Sequence, residues 1–192
     1  ETATLNIEER QEVYDFIVAR TSGRVPIVVG MGSNNTQELV EQLQSFDMHD
    51  AVAILSVVPY YNKPSQEGIY RHYMAVAEAS PVPVILYNVP GRTGVNMTAE
   101  TTLRLAKASS KIVAVKEASG DMEQMQRIID QRPENFLVLS GDDGLTVELI
   151  KRGGEGVISV AANAFVESFC GCVHDAMAGK TADYFTLNAM NI

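Results

Sequence analysis

Residues 111–121 read Lys-Ile-Val-Ala-Val-Lys-Glu-Ala-Ser-Gly-Asp. The run Ile112-Val113-Ala114-Val115 is apolar without alternation, as expected of a parallel strand covered on both faces. It ends on Lys116. Asp121, three residues ahead of Gln124, then marks a helix start before Met125, Ile128 and Ile129. The same order recurs along the chain. Strands are predicted at Val25–Gly30, Ala51–Val58, Pro83–Asn88, Lys111–Lys116, Phe136–Ser140 and Gly156–Val160. Helical patterns lie between them. Asn6 with Glu9 forms a capping-box pair ahead of Ile7, Tyr14, Ile17 and Val18. Thr36 is read as the cap before Leu39, Val40, Leu43 and Phe46. Ser65, Thr98 and Asp143 open further helices, and Gly153-Gly154 closes the one after Asp143. Phe165, Phe169, Val173 and Ala176 mark a last helix.

This rhythm leaves an open doubly wound sheet or a closed barrel. Reactive side chains decide between them. Tyr60 and Tyr61 follow the second strand, Tyr87 and Arg92 the third, and Lys116 ends the fourth. Ser140-Gly141-Asp142 and Ser159 belong to the fifth and sixth. In a flat sheet with strands ~4.8 Å apart, six strand ends would spread over roughly 25 Å. Closing the sheet turns all of them toward one axis. The fold class is therefore α/β, a TIM (β/α)8 barrel, with about six of eight strands in a single partial domain spanning 1–192. A full barrel takes about 250 residues, so the first two strands and the C-terminal helices are expected to be missing. Tyr184–Ile192 resembles the start of one such helix.

Composition narrows the chemistry. The chain is 46% hydrophobic and 20% charged, an ordinary globular balance. A net charge of −9 argues against a nucleic-acid partner. No apolar run approaches the ~18 residues of a membrane span. Cys170 and Cys172 would point to nearly opposite faces of one helix, which disfavours a disulfide or metal pair. His49, His72 and His174 have no ligand spacing, so no metal is expected. Free thiols fit a cytoplasmic location.

Lys116 is the sharpest candidate. Burial at the end of an apolar strand would lower its pKa and free the amine as a nucleophile. The plain alternative is a lysine turned out beside Glu117 as an ion pair, and position alone leaves the two at even odds. Tyr87 ends the neighbouring strand, either as a wet core-edge aromatic or as a proton relay beside an amine. Arg92 lies in Tyr87-Asn88-Val89-Pro90-Gly91-Arg92-Thr93-Gly94, where proline and two glycines fix a tight loop suited to carboxylate capture. Pro59-Tyr60-Tyr61-Asn62-Lys63-Pro64 sets two tyrosines on a strand-following loop, compatible with a subunit interface. Two motifs are discounted. Gly30-Met31-Gly32 follows a strand, but Asn35 stands where a dinucleotide fingerprint needs its third glycine. Asp142-Asp143 ahead of a helix is more often a cap than a metal pair.

Taken together, GMGSNNT, VVPYYNKPSQEGIY, ILYNVPGRTG, AVKEASGD, LSGDD and GVISVAAN resemble the dihydrodipicolinate synthase family, whose barrel superfamily also holds N-acetylneuraminate lyase. The resemblance covers almost the whole chain, and YNVPGRTG and VKEASGD are its most specific parts. It implies a lyase acting in lysine (diaminopimelate) biosynthesis. In that reading Lys116 forms a Schiff base with pyruvate, and Tyr87 relays protons. Tyr61 reaches the neighbouring site across a dimer interface. Arg92 binds the carboxylate of aspartate semialdehyde, and Gly141 and Ile158 line the pyruvate pocket. The product would be 4-hydroxy-tetrahydrodipicolinate. No cofactor is implied, because the protonated imine is itself the electron sink. The resemblance also implies a homotetramer built as a dimer of dimers.

Thr2, Ala3, Gly32, Asn34, Glu38 and Tyr60 match positions of a lysine regulatory site in such enzymes. Ile7 and Arg10 replace histidines of lysine-sensitive forms, so feedback inhibition is not expected. Glu1 matches the end of a Gly-Thr-Thr-Gly-Glu motif whose relay threonine falls outside the chain. The 192 residues alone are therefore expected to be inactive or poorly folded, with two long apolar edge strands exposed. The alternatives are N-acetylneuraminate lyase or another pyruvate-dependent aldolase, and a non-catalytic barrel relative. Arg92 and Tyr60-Tyr61 favour the synthase over the first. The intact set Lys116, Tyr87, Arg92 and Tyr61 counts against the second. A nucleotide-binding sheet is third, resting on Gly30-Met31-Gly32 alone.

Overall fold

Every predicted strand forms, and each pairs in parallel with the next one in the sequence. The computed structural model describes residues 2–180. Its sheet runs β1 (Ile27–Gly30), β2 (Ala51–Val57), β3 (Val84–Asn88), β4 (Ile112–Glu117), β5 (Leu137–Ser140) and β6 (Gly156–Val157), with spatial order identical to chain order. A doubly wound sheet reverses its order at a switch point. This one never reverses, so the six strands form an arc of a TIM barrel.

Between and around the strands lie α1 (Ile7–Thr21), α2 (Thr36–Ser45), α3 (Gln66–Ala79), α4 (Pro90–Thr93), α5 (Ala99–Ala108), α6 (Met122–Gln131), α7 (Thr146–Lys151) and α8 (Val166–Met177). The main core lies between helices and sheet. Leu39, Leu43, Ile69, Tyr73, Val76, Leu105, Met125 and Ile128 pack there against Ile54, Leu86, Val115 and Val138. A smaller cluster, Ala53, Ile85 and Ala114, occupies the concave face. Val147, Ile150, Phe169, Cys172 and Ala176 join α7 to α8. Cys172 is buried and Cys170 is exposed, and among the described residues neither forms a disulfide. Among the described residues no helix is long and apolar enough to cross a membrane.

The helix starts follow the sequence with two shifts, at α2 and at the 3₁₀ turn before α7, where Asp142 rather than Asp143 is the cap. Asn6 and Glu9 form the reciprocal capping box on α1, and Ser65, Thr98 and Asp121 cap α3, α5 and α6. On α2 the cap is Asn35 rather than Thr36. Asn35 has the extended backbone (φ −109°) and accepts from the Glu38 amide. Thr36 is already helical, and its hydroxyl is 2.8 Å from His72 Nδ1.

Three expectations change. Ile17 is 42% exposed rather than part of the inner face of α1. The Tyr14 hydroxyl bonds the His49 carbonyl and fixes the helix rotation with Tyr14 inward. The sheet edges are short. β1 begins at Ile27 because Pro26 has no N–H for the ladder. β6 ends at Val157 because the chain turns into a 3₁₀ segment at Ala161–Asn163. The predicted helix at Tyr184–Ile192 lies outside the described residues.

Candidate active site

Side chains alternate across a strand, and the register aligns the same phase on neighbouring strands. Val57 is opposite Tyr87, Tyr87 opposite Lys116, Lys116 opposite Leu139, and Leu139 opposite Gly156. One row, one residue per strand, therefore crosses the sheet near its C-terminal end. Lys116 is 8% exposed, and its Nζ lies over the Tyr87 ring, 4.3 Å from the centroid. Burial pulls the Lys116 ammonium below the usual lysine range, and the Asp143 carboxylate opposes that effect. Burial raises the Tyr87 phenol, and the Arg92 guanidinium draws it part of the way back. Gly141 leaves room for the lysine stem. A Cβ there would lie 3.1 Å from Lys116 Cε and 2.6 Å from Ala118 Cβ.

The ion pair between Lys116 and Glu117 does not form. Glu117 is on the opposite face of β4 and fully buried. Its carboxylate accepts from Asn88 Nδ2, Gln124 Nε2 and the Ser119 amide at 2.8–3.1 Å. Asn88 also donates to Asn96 Oδ1 at 2.7 Å and accepts from the Met97 amide at 2.9 Å. Burial raises the Glu117 pKa, against the lowering effect of these donors. Sequence reasoning missed this network. Its signal was the period of two: in Tyr87-Asn88 and Lys116-Glu117 the second letter must face the helices.

Arg92 belongs to α4, a single turn with Pro90 at its first position and Gly94 (φ +75°) closing it. Thr93 is buried and bonds the carbonyls of Val89 and Val95. A cavity of about 370 Å³ is lined by Tyr87, Arg92, Thr93, Tyr60, Gly32, Thr2 and Arg10, among others. Tyr87 is common to this cavity and to the lysine contact. Tyr61 is 86% exposed and holds φ +73°, a backbone state costly for a non-glycine residue. Its amide donates to the Thr93 carbonyl at 3.3 Å. Ile158 follows β6 and keeps its amide on the Ser140 carbonyl at 3.0 Å.

The candidate regulatory residues divide. Thr2, Gly32 and Tyr60 line the cavity. Asn34 donates to the Tyr60 carbonyl, and Glu38 is exposed and accepts from Ser33 Oγ. The side chain of Ala3 lies outside what is described. Arg10 donates to the carbonyls of Thr2 and Leu5. The glycines of Gly30-Met31-Gly32 serve close packing: a Cβ on Gly32 would lie 2.8 Å from Val57 Cγ1. Among the described residues, no cluster of three His, Cys, Asp or Glu side chains could hold a metal ion.

Fold and site together define a class: a parallel βα-barrel chain carrying a buried lysine against a tyrosine at its strand ends. The Dihydrodipicolinate synthetase family model matches residues 1–190. A 4-hydroxy-tetrahydrodipicolinate synthase of Phocaeicola vulgatus is 54% identical over 188 residues, covering 98% of this chain and 63% of the relative. One from Neisseria meningitidis is 50% identical over 182 residues, covering 95% of this chain and 62% of the relative. A chloride-inhibited dihydrodipicolinate synthase from Acinetobacter baumannii, solved in complex with pyruvate, superposes with a TM-score of 0.91 at 42% identity. That alignment covers 98% of this chain and 65% of the other. The chain belongs to the dihydrodipicolinate synthetase family, as its motifs led one to expect. It spans 63% of the length of the Phocaeicola relative.

Proposed function

We propose that the protein condenses pyruvate with L-aspartate 4-semialdehyde to give 4-hydroxy-tetrahydrodipicolinate, in lysine biosynthesis. The observation that carries this reading is Lys116, 8% exposed, on the concave face with its amine over the Tyr87 ring. A lysine whose ammonium is disfavoured by burial is a ready amine nucleophile. Its amine adds to the keto carbon of pyruvate. The keto oxygen leaves as water, taking one N–H hydrogen and one proton from solution. The nitrogen keeps one hydrogen and the positive charge. Loss of a methyl proton then gives an enamine, whose carbon attacks the aldehyde. Tyr87 handles protons at this stage. The semialdehyde's amine closes the ring and releases Lys116.

Arg92 supplies a guanidinium to the semialdehyde carboxylate, and its place on the cavity wall with Tyr87 supports that role. Gly141 and Ile158 border the pyruvate position. Tyr61 acts across a dimer interface, which its 86% exposure and strained backbone support. The assembly is a homotetramer acting in the cytoplasm, and no metal or organic cofactor takes part. The test is borohydride reduction in the presence of pyruvate, on the protein at its full length. A covalent adduct on Lys116, absent from Lys116→Ala, is the expected result. Folded protein that gives no adduct would overturn the proposal. Turnover of N-acetylneuraminate in place of the semialdehyde would move it to the lyase branch.

A further inference from the structure

Asp142-Asp143 reads in the sequence as a pair of caps, and the structure separates the two. Asp142 is exposed and caps the 3₁₀ turn Asp143–Leu145 through the Gly144 amide at 2.9 Å. Asp143 is 7% exposed and serves no turn of its own. Its Oδ2 accepts from the Val160 and Ala161 amides at 3.1 and 2.8 Å. Its buried Oδ1 meets no hydrogen-bond donor among the described residues. A buried charge with one oxygen unmatched is costly unless a cation or donor offsets it.

Two neighbourhoods meet at this carboxylate. Asp143 follows Gly141, which abuts the Lys116 stem. Val160 follows Ile158, which extends the β6 pairing. Among the described residues, these charged and titratable groups surround Lys116. From β3 comes the Tyr87 ring. On β4, Glu117 faces the other way, into the helix layer. From the loop after β5 comes Asp143, whose charge acts on the lysine. Arg92 acts on Tyr87.

We propose that Asp143 is a positioning residue for Schiff-base formation: it ties the loop after β6 to the loop after β5 and fixes a buried negative charge whose field reaches the nitrogen that becomes cationic in the iminium. The proposal rests on Lys116 being the amine that adds pyruvate. Fixed charge in an enclosed site acts more strongly than in water and needs no reorganisation as the iminium forms. The carboxylate therefore raises the population of both cations, the ammonium before the reaction and the iminium after it.

The experiment measures initial rates of borohydride-trapped pyruvate adduct against pH, with thermal midpoints, for full-length wild type, Asp143→Asn, Asp143→Ser and Asp142→Asn. Both uncharged Asp143 variants keep an oxygen that can accept an amide. Without the carboxylate the lysine loses its proton at lower pH, so the acid limb of trapping moves to lower pH. The plateau rate falls about 10–100-fold as the iminium loses its counter-charge. Asp142→Asn leaves the limb where it is. A limb that stays put or moves up in both Asp143 variants overturns the proposal, even if the rate falls. So does loss of folding in both while Asp142→Asn folds, because Asp143 is then only a tether. No adduct in folded wild type is a different failure, that of the Lys116 reading itself.

Discussion

Glu117→Gln tests how far the hydrogen-bond network behind the site stabilises the fold. In the wild type, Oε1 accepts from Asn88 Nδ2 at 3.1 Å and the Ser119 amide at 2.8 Å. Oε2 accepts from Asn88 Nδ2 at 3.1 Å and Gln124 Nε2 at 3.0 Å. An amide side chain offers one oxygen and one NH₂, so either orientation turns donors onto a donor. Gln124 cannot flip without cost. Its Oε1 already accepts from Asn96 Nδ2 at 2.9 Å, and its Nε2 donates to the Met97 carbonyl at 3.2 Å. About two charge-assisted bonds are lost, worth ~1.5 kcal/mol each. Relief from burying a charge offsets part of that. The expected net loss is ~2 kcal/mol at neutral pH, or roughly 4–8 °C in Tm for a protein of this size.

The pH dependence has a definite sign. The folded Glu117 pKa is raised, so the folded state holds this proton more tightly than the unfolded one. Its contribution to stability is fully present below the unfolded value of about 4.3 and is lost as pH rises through the raised folded value. The variant lacks this slope, so the gap between the two proteins widens on acidification through that window. Urea unfolding at several pH values, on the full-length protein, reads both effects. A variant as stable as wild type at pH 7, or a gap that narrows on acidification, would refute the reasoning.

Two further substitutions bear on the site. Gly141→Ala places a Cβ 2.6 Å from Ala118 Cβ and 3.1 Å from Lys116 Cε. It should cut the pyruvate trapping rate about 100-fold, measured by quenched reduction, while the far-UV circular dichroism stays native. Tyr61→Gly removes a side chain from a backbone held at φ +73°. Its denaturant midpoint should hold or rise, by the equivalent of up to about 1 kcal/mol of unfolding free energy, while turnover of pyruvate and the semialdehyde falls. A midpoint that drops with unchanged turnover would contradict that reading.

The barrel was legible because parallel strands covered on both faces are written as apolar runs, and because Tyr87, Arg92 and Lys116 follow successive runs at their C-terminal ends. Local chemistry also placed most helix starts. The Asn35–Thr36 choice was open because both residues cap well and only the backbone angle decides. Register was not legible from any single strand. It alone puts Lys116 beside Tyr87; the alternation along β4, which is legible, sends Glu117 to the other face and removed the ion-pair alternative. Asp143 was misjudged because its partners, the amides of Val160 and Ala161, lie in another unit of the barrel. Ile17 was assigned inward on periodicity, but the bond from Tyr14 to the His49 carbonyl sets the rotation of α1.

The row that carries Tyr87 and Lys116 takes a single letter from each strand. On either side of that letter, Leu86 and Asn88, or Val115 and Glu117, face the helices. Reactivity and scaffold are thus spelled on interleaved characters of the same words. A substitution screen across residues 84–88 and 114–117 should return two superimposed messages of period two, one read in turnover and the other in yield of folded protein. Changing the specificity of such a site requires editing one message while leaving the alternate characters untouched.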